Sequence, residues 1–242
     1  MTEQERIEQR KRAAYRRRHR ERVRKKQMMT RMGLLLAIAI VAIVIVTAAI
    51  ANGKHTDLLA TEQDIQYAKE LKKINDVEPD IDVQLLDPNK YSRPQTKLKK
   101  VKNIFVHYTA NPGTSAEQNR SYFENLGVTG ETSASAHFVI NYDGSIVQCL
   151  PLDEMGYAVK TRNEDSVSIE CCYLDEDGKF TDATYQSLLK LSAWLLSEYH
   201  LKPADMRRHY DEGGKKCPLY YVEHEDAWEQ FLTDLEDLKN SY

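Results

Sequence analysis

Two histidines and one cysteine in this 242-residue sequence are of types and spacing that could bind a metal ion. His107 ends a β-rich run, His209 lies just past a long helical pattern, and Cys217 follows in a glycine-containing loop that can fold back toward His209. Two imidazoles and one thiolate form a workable zinc set whose fourth position stays open for water, as catalytic zinc requires. Because a lone histidine on a strand is more often simply packed, spacing alone leaves both interpretations open.

Alternating strands and helices are predicted around these three residues. The predicted strands are Lys102–Thr109, Ala136–Tyr142, Ser145–Leu150 and Val167–Tyr173, and the predicted helices are Ser115–Leu126, Asp182–His200 and Glu223–Lys239. Asp143-Gly144, between the second and third strands, is typical of a hairpin turn. Since the order lacks strict βαβ repetition, we expect an α/β fold with a mixed central β-sheet flanked by helices.

The first predicted helix carries its own start signal and a predicted inner face. Thr114 or Ser115 is expected to cap its N-terminus. Tyr122, Phe123 and Leu126 are expected to face the core.

Four separated motifs resemble the N-acetylmuramoyl-L-alanine amidases of the peptidoglycan-recognition (amidase type 2) superfamily. In order they are IFVHYTANPGTSA, SASAHFVINYDGSIVQCLP, SVSIECCY and RHYDEGGKKCP, within about Tyr91 to Phe231. The resemblance implies an amidase-like fold in which His107, His209 and Cys217 bind Zn²⁺. It also implies hydrolysis of the amide between N-acetylmuramic acid and L-alanine, with peptidoglycan or a muropeptide as the substrate.

The same resemblance implies two catalytic side chains. One branch of the superfamily uses a tyrosine as general base directly before a His-Phe pair, where this sequence has Ala136. Another branch uses a glutamate in a strand that Ser168-Ile169-Glu170 matches, so Glu170 is the expected base. Family members place an oxyanion-binding lysine two residues before the last ligand, which is Lys215 here. Its neighbour Lys216 is indistinguishable from it in the sequence.

Two further residues are candidate substrate contacts. His137 alternates with Ala136 and Phe138 on a predicted strand, so it either points into the cleft or packs beneath it. Tyr157 lies in Gly156-Tyr157-Ala158-Val159, where family members often have W-H-A-G. The imidazole that would contact substrate there is absent, which leaves the saccharide or peptide preference open.

The first fifty residues predict a membrane anchor. Residues 1–32 carry a formal charge of +9, which leaves −12 for the rest of the chain. Residues 33–51 lack charge and would span roughly 28 Å as a helix, close to the hydrocarbon thickness of a bilayer. The basic flank should stay cytoplasmic and contact membrane lipid, which places the following chain outside a bacterial cell. A cleaved signal peptide ending at Ala51 is the alternative. A nucleic-acid-binding arm is disfavoured, because a single tyrosine is the whole aromatic content of residues 1–32.

The expected domain organisation follows from these segments. It comprises a basic head at 1–32, a transmembrane helix at 33–51, a stalk helix and extended linker at 52–95, and a zinc amidase domain at 96–242. Cys149, Cys171 and Cys172 are expected to be small buried side chains, although an even cysteine count would permit disulfides. Two other function classes remain open: a peptidoglycan-recognition module without activity, and a structural envelope tether. The three ligands favour the enzyme, because non-catalytic relatives typically lose one of them.

Overall fold

The computed structural model describes residues 79–240, and a six-stranded mixed β-sheet lies at their centre. The strands are β1 (Ile81–Val83), β2 (Asn103–Tyr108), β3 (Phe138–Ile140), β4 (Ile146–Gln148), β5 (Ser166–Cys171) and β6 (Met206–Arg208). The helices are α1 (Ala116–Thr129), α2 (Asp182–Glu198), α3 (Leu219–Glu223) and α4 (Glu225–Asn240). Short 3-10 turns occupy Lys160–Asp165, Pro203–Asp205 and His209–Asp211.

The strand order is β1-β4-β3-β5-β2-β6, and β3 with β4 is the antiparallel pair, joined through the predicted hairpin. The other neighbouring pairs are parallel. The predicted mixed sheet with flanking helices is therefore confirmed. Within residues 79–240, no helix combines the length and the apolar character needed to cross a bilayer. The predicted membrane span at 33–51 and the stalk helix within 52–95 lie outside the described residues.

The two faces of the sheet are covered unequally. Alternate residues of β2 and β5, such as Val106 and Ile169, join the larger core together with α2 and α4. On the opposite face, α1 packs over β3 and β4 around Val139 and Phe123. That helix leaves the ends of β5 and β2 uncovered, so His107 on β2 comes to line an open cleft.

Helix α1 begins where its sequence signal predicts but ends at Thr129, beyond the predicted Leu126, and one inner residue was predicted wrongly. The Ser115 hydroxyl accepts from the Gln118 amide, and the Gln118 side chain accepts from the Ser115 amide. Gly130 ends the helix with φ of +66°. Phe123 is buried as expected, whereas Tyr122 is 46% exposed because it lies off the buried stripe of the helix.

Other predicted elements are present with shifted bounds. The strands around the hairpin are shorter than predicted, and α2 ends at Glu198 rather than at His200. The predicted last helix, α4, begins at Glu225 rather than at Glu223, and the short helix α3 before it was not predicted. Two short strands, β1 and β6, were missed because three residues are too few for an alternating pattern to be recognised.

Part of the segment predicted as a linker is built into the sheet. Ile81–Val83 pairs in parallel with β4. Further on, the Arg93 guanidinium donates to both carboxylate oxygens of buried Glu154, at 2.7 and 3.0 Å. It also donates to the Leu86 carbonyl at 2.7 Å. Residues 81–95 thus supply an edge strand and the counter-charge of a buried carboxylate.

Candidate metal centre and active site

The carboxyl ends of three neighbouring parallel strands bring the chemically capable side chains together. His107 lies near the end of β2 and stands opposite Glu170 of β5 in the strand register. His209 follows directly after β6, the other neighbour of β2. Ligands of open α/β sheets generally bind at such strand ends.

A short loop with two glycines returns Cys217 to the histidines. Gly213 and Gly214 adopt φ of +99° and +77°, which other residues rarely adopt. The Tyr210 amide donates to the Cys217 carbonyl at 3.0 Å and closes the loop. The expected folding back of this loop is therefore confirmed.

The three predicted ligands converge on one point. Their candidate ligand atoms all lie within 4.8 Å of one another. The Nδ1 atoms of His107 and His209 are 3.1 Å apart, and Cys217 Sγ is 3.7 Å from His107 Nδ1. Zinc bonds of about 2.0–2.1 Å to nitrogen and 2.3 Å to sulfur, at tetrahedral angles, give separations of about 3.4 and 3.6 Å. The donor set and its spacing therefore fit a tetrahedral zinc ion.

The environment of these ligands also suits a cation. Burial lowers the pKa of His107 well below its ordinary value, and the charges of His209 and Lys215 lower it further. Burial, then Lys215 and Lys160, lowers the pKa of His209 as well. Neutral imidazoles are the form that binds metal. Burial raises the pKa of Cys217 to about 12, so a thiolate at this position needs a positive partner.

Glu170 lies beside the three ligands with one carboxylate oxygen unpaired. Its Oε1 is 3.9 Å from His107 Nδ1, and its buried Oε2 has no hydrogen-bond partner among the described residues. Burial raises the pKa of Glu170 to about 8, while the Lys215 ammonium acts in the opposite direction. Strand β5 lies between β3 and β2, so Glu170 is not an ordinary edge-strand glutamate.

The two lysines that the sequence could not separate have different surroundings. Lys215 lines the cleft together with His107, Glu170 and His209. The Lys216 ammonium donates to Glu223 at 2.9 Å, with 65% of the side chain exposed. Lys215 is therefore the lysine that can reach a bound substrate.

The structure places His137 beneath the cleft, where both ring nitrogens are already engaged. Nδ1 accepts from the Ser168 amide at 3.1 Å, and Nε2 donates to the Glu154 carbonyl at 2.9 Å. The side chain is 1% exposed, and burial lowers its pKa to about 4. Of the two orientations considered for this strand residue, packing is the one observed. Because neither ring nitrogen is free in this arrangement, the structure supports a packing role for His137 and shows no group on it for a substrate contact.

Tyr157 lies at the mouth of the same cleft, which has a volume of about 700 Å³. Its amide donates to the Ser135 hydroxyl and its carbonyl accepts from the Ser135 amide, each at 3.0 Å. The two segments that meet here form one wall of the cleft. A substrate contact by Tyr157 remains a prediction.

One supporting residue was not singled out in the sequence. Buried Arg208 precedes His209 and donates to Asp211 at 2.8 Å and to Glu225 at 2.6 Å. It also donates to the Tyr221 carbonyl at 2.8 Å. These bonds hold the turn carrying His209 against α3 and α4. An arginine directly before a ligand histidine was the only available signal.

The remaining cysteines are buried as expected. Cys149, Cys171 and Cys172 are free thiols, and none is a member of the ligand cluster. Burial raises the pKa of Cys149 to about 12. They contribute apolar volume to the two faces of the sheet.

An α/β sheet that presents His, His and Cys beside a carboxylate defines the class of a candidate metal-dependent hydrolase. A family model described as N-acetylmuramoyl-L-alanine amidase matches residues 97–220. The chain belongs to this family, which confirms the resemblance inferred from the four motifs.

Individual relatives agree with the family assignment. The chain is 34% identical over 164 residues to the N-acetylmuramoyl-L-alanine amidase BlyA of Bacillus subtilis, covering 59% of this chain and 43% of BlyA. It is 30% identical over 131 residues to an endolysin of Klebsiella phage KP32, covering 52% of this chain and 85% of the endolysin. The chain thus spans less than half the length of BlyA, but most of the phage protein.

Solved structures share the fold. The catalytic domain of XlyA has a TM-score of 0.56 at 28% identity, covering 65% of this chain and 99% of that domain. A mutant endolysin from Bacillus subtilis has a TM-score of 0.55 at 28% identity, with 65% and 99% covered.

Proposed function

We propose that this chain is a zinc-dependent N-acetylmuramoyl-L-alanine amidase that hydrolyses peptidoglycan on the outer face of a bacterial cytoplasmic membrane. The observation that carries the proposal is the convergence of His107, His209 and Cys217 beside Glu170 in an open cleft. Membership of the amidase family supports the reaction type. A recognition module would not need an unpaired carboxylate next to a complete ligand set.

Each of these residues of the cleft has a separate role in the proposed reaction. His107, His209 and Cys217 would hold Zn²⁺, which when bound supplies a Lewis acid and lowers the pKa of water. Glu170 takes a proton from the attacking water and later returns it to the leaving amine of L-alanine. Lys215 faces the negative charge that develops on the carbonyl oxygen when water adds to the carbonyl carbon.

Purified cell walls provide the direct test of the proposed activity. Incubation with zinc-loaded protein should release new N-terminal alanine, because the bond cleaved joins the lactyl group to L-alanine. Zinc content and alanine release are measured on the same preparation. Zinc and muropeptide binding without alanine release would favour the recognition module, and absence of both would favour the envelope tether.

The membrane topology proposed here rests on the sequence of residues 1–51. Their basic head and apolar span place the N-terminus inside and the amidase domain outside. Protease added to intact protoplasts should therefore remove the domain and spare the head, as followed with antibodies against each part. Protoplasts opened with detergent, in which both parts are cleaved, are the control. A domain protected in intact protoplasts would contradict the export of the catalytic domain.

A further inference from the structure

Lys160 is held at the cleft in a backbone conformation that non-glycine residues rarely adopt. Its φ is +38°, and such strained positions cluster at functional sites. The Asn163 side chain fixes the preceding residues by accepting from the amides of Ala158 and Val159, at 3.0 and 2.7 Å. The Arg162 amide donates to the Val159 carbonyl at 2.9 Å. The strained residue therefore has a defined position on the cleft wall.

Lys160 is an exposed lysine that lines the cleft and has no ion-pair partner among the described residues. Among the described residues, neither Lys160 nor Lys215 forms an ion pair, although both line the cleft. Glu212, on the same wall, is directed to the Thr161 hydroxyl at 3.3 Å and the Arg162 guanidinium at 3.8 Å. Since Lys215 has a role at the oxyanion, Lys160 is the cleft cation whose partner is missing.

Both charged and uncharged residues line the cleft. Of the other residues that line the cleft, Phe123, Ser133, Ser135 and Tyr157 are uncharged. An amidase substrate also has a charged and an uncharged part, because the scissile amide joins an uncharged sugar unit to a peptide that carries carboxylates. Pairing the carboxylate-bearing peptide of the substrate with the lysine of the cleft places the peptide on the side of Lys160.

We propose that Lys160 binds a carboxylate of the stem peptide and so determines which stem peptides are cleaved efficiently. The peptide then lies on the side of Lys160, and the saccharide contacts uncharged residues of the cleft. This inference rests on the proposed amidase function. An ammonium group forms charge-assisted hydrogen bonds with a carboxylate that are stronger than those it forms with a carboxamide.

The test compares two muramoyl dipeptides that differ only in whether their carboxylates are free or converted to carboxamides. Wild-type protein should cleave the free acid with a kcat/KM about fivefold higher, a size expected for a solvent-accessible ion pair. Lys160→Gln should lose this ratio by slowing cleavage of the acid, with the amide cleaved at nearly the wild-type rate. Lys160→Gly should lose the ratio as well, without loss of thermal stability, because glycine accepts the positive φ.

Lys190→Gln, an exposed substitution on α2, is the matched control and should keep the wild-type ratio. A wild-type ratio in Lys160→Gln, or no preference in the wild type, would overturn the role of Lys160. If wild-type protein cleaves neither compound, the proposed amidase function fails. The ratio of the two dissociation constants, measured by calorimetry on wild type and Lys160→Gln, then decides the role of Lys160 independently.

Discussion

Glu170→Gln should lower kcat on a muropeptide by about 10²–10⁴-fold, the usual contribution of a general acid–base group. Glutamine keeps the side-chain volume but cannot accept the proton of the attacking water. The metal ligands His107, His209 and Cys217 are unchanged, so zinc occupancy should stay near wild type and KM should change little. Single-turnover kinetics together with metal analysis on the same preparation measure both quantities. Ala136 makes the expected effect large, because no tyrosine stands at the alternative family position.

Glu229→Gln is the matched control for this substitution. Glu229 is exposed on α4, which packs against the sheet face opposite the cleft. Its replacement changes the same functional group and should leave kcat unchanged. Cleavage by Glu170→Gln at the wild-type rate would show that another group transfers the proton, even if the zinc ligands are assigned correctly.

Cys217→Ser should weaken zinc binding by more than about 100-fold, because even substitutions around the ligands cost 10–100-fold. A neutral hydroxyl would replace the thiolate, 3.7 Å from His107 Nδ1, that completes the ligand set. Competition with a chromophoric chelator measures the affinity. Activity should fall in parallel and return in part when excess zinc is added.

Two further variants make the result specific for the ligand. Cys149→Ser alters a buried thiol in the apolar cluster beneath α1, outside the ligand set, and should retain stoichiometric zinc. Cys217→Asp should bind zinc more tightly than Cys217→Ser, since a carboxylate is also a zinc ligand. Stoichiometric zinc in Cys217→Ser at wild-type affinity would exclude Cys217 from the metal site.

The ligand set could be predicted because histidine and cysteine types are visible in the sequence and the motifs fix their order. The strand ending at His107 and the Asp143-Gly144 turn were also local signals. Strands β1 and β6 were not predictable in this way, since three residues become a strand through pairing with β4 and β2. Tyr122 was placed wrongly because one position of helical rotation decides between a buried and an exposed side chain.

Choices between neighbouring side chains required the three-dimensional structure. Whether Lys215 or Lys216 lines the cleft depends on the glycine conformations of their loop, which composition does not specify. The packing of His137 depends on a carbonyl and an amide from two other segments. No sequence pattern distinguished Lys160 from other lysines, because a positive φ cannot be inferred from the residue type.

The ion pair between Arg93 and Glu154 changes how variation before residue 96 should be interpreted. The Glu154 backbone carbonyl holds His137, so a chain of contacts leads from Arg93 to the floor of the cleft. Loss of the Arg93 guanidinium would leave a carboxylate uncompensated inside the domain, which is costly. Sequence changes in residues 81–95 therefore affect the folded domain itself. Differences between homologues in this segment should not be interpreted as differences in the length of a linker.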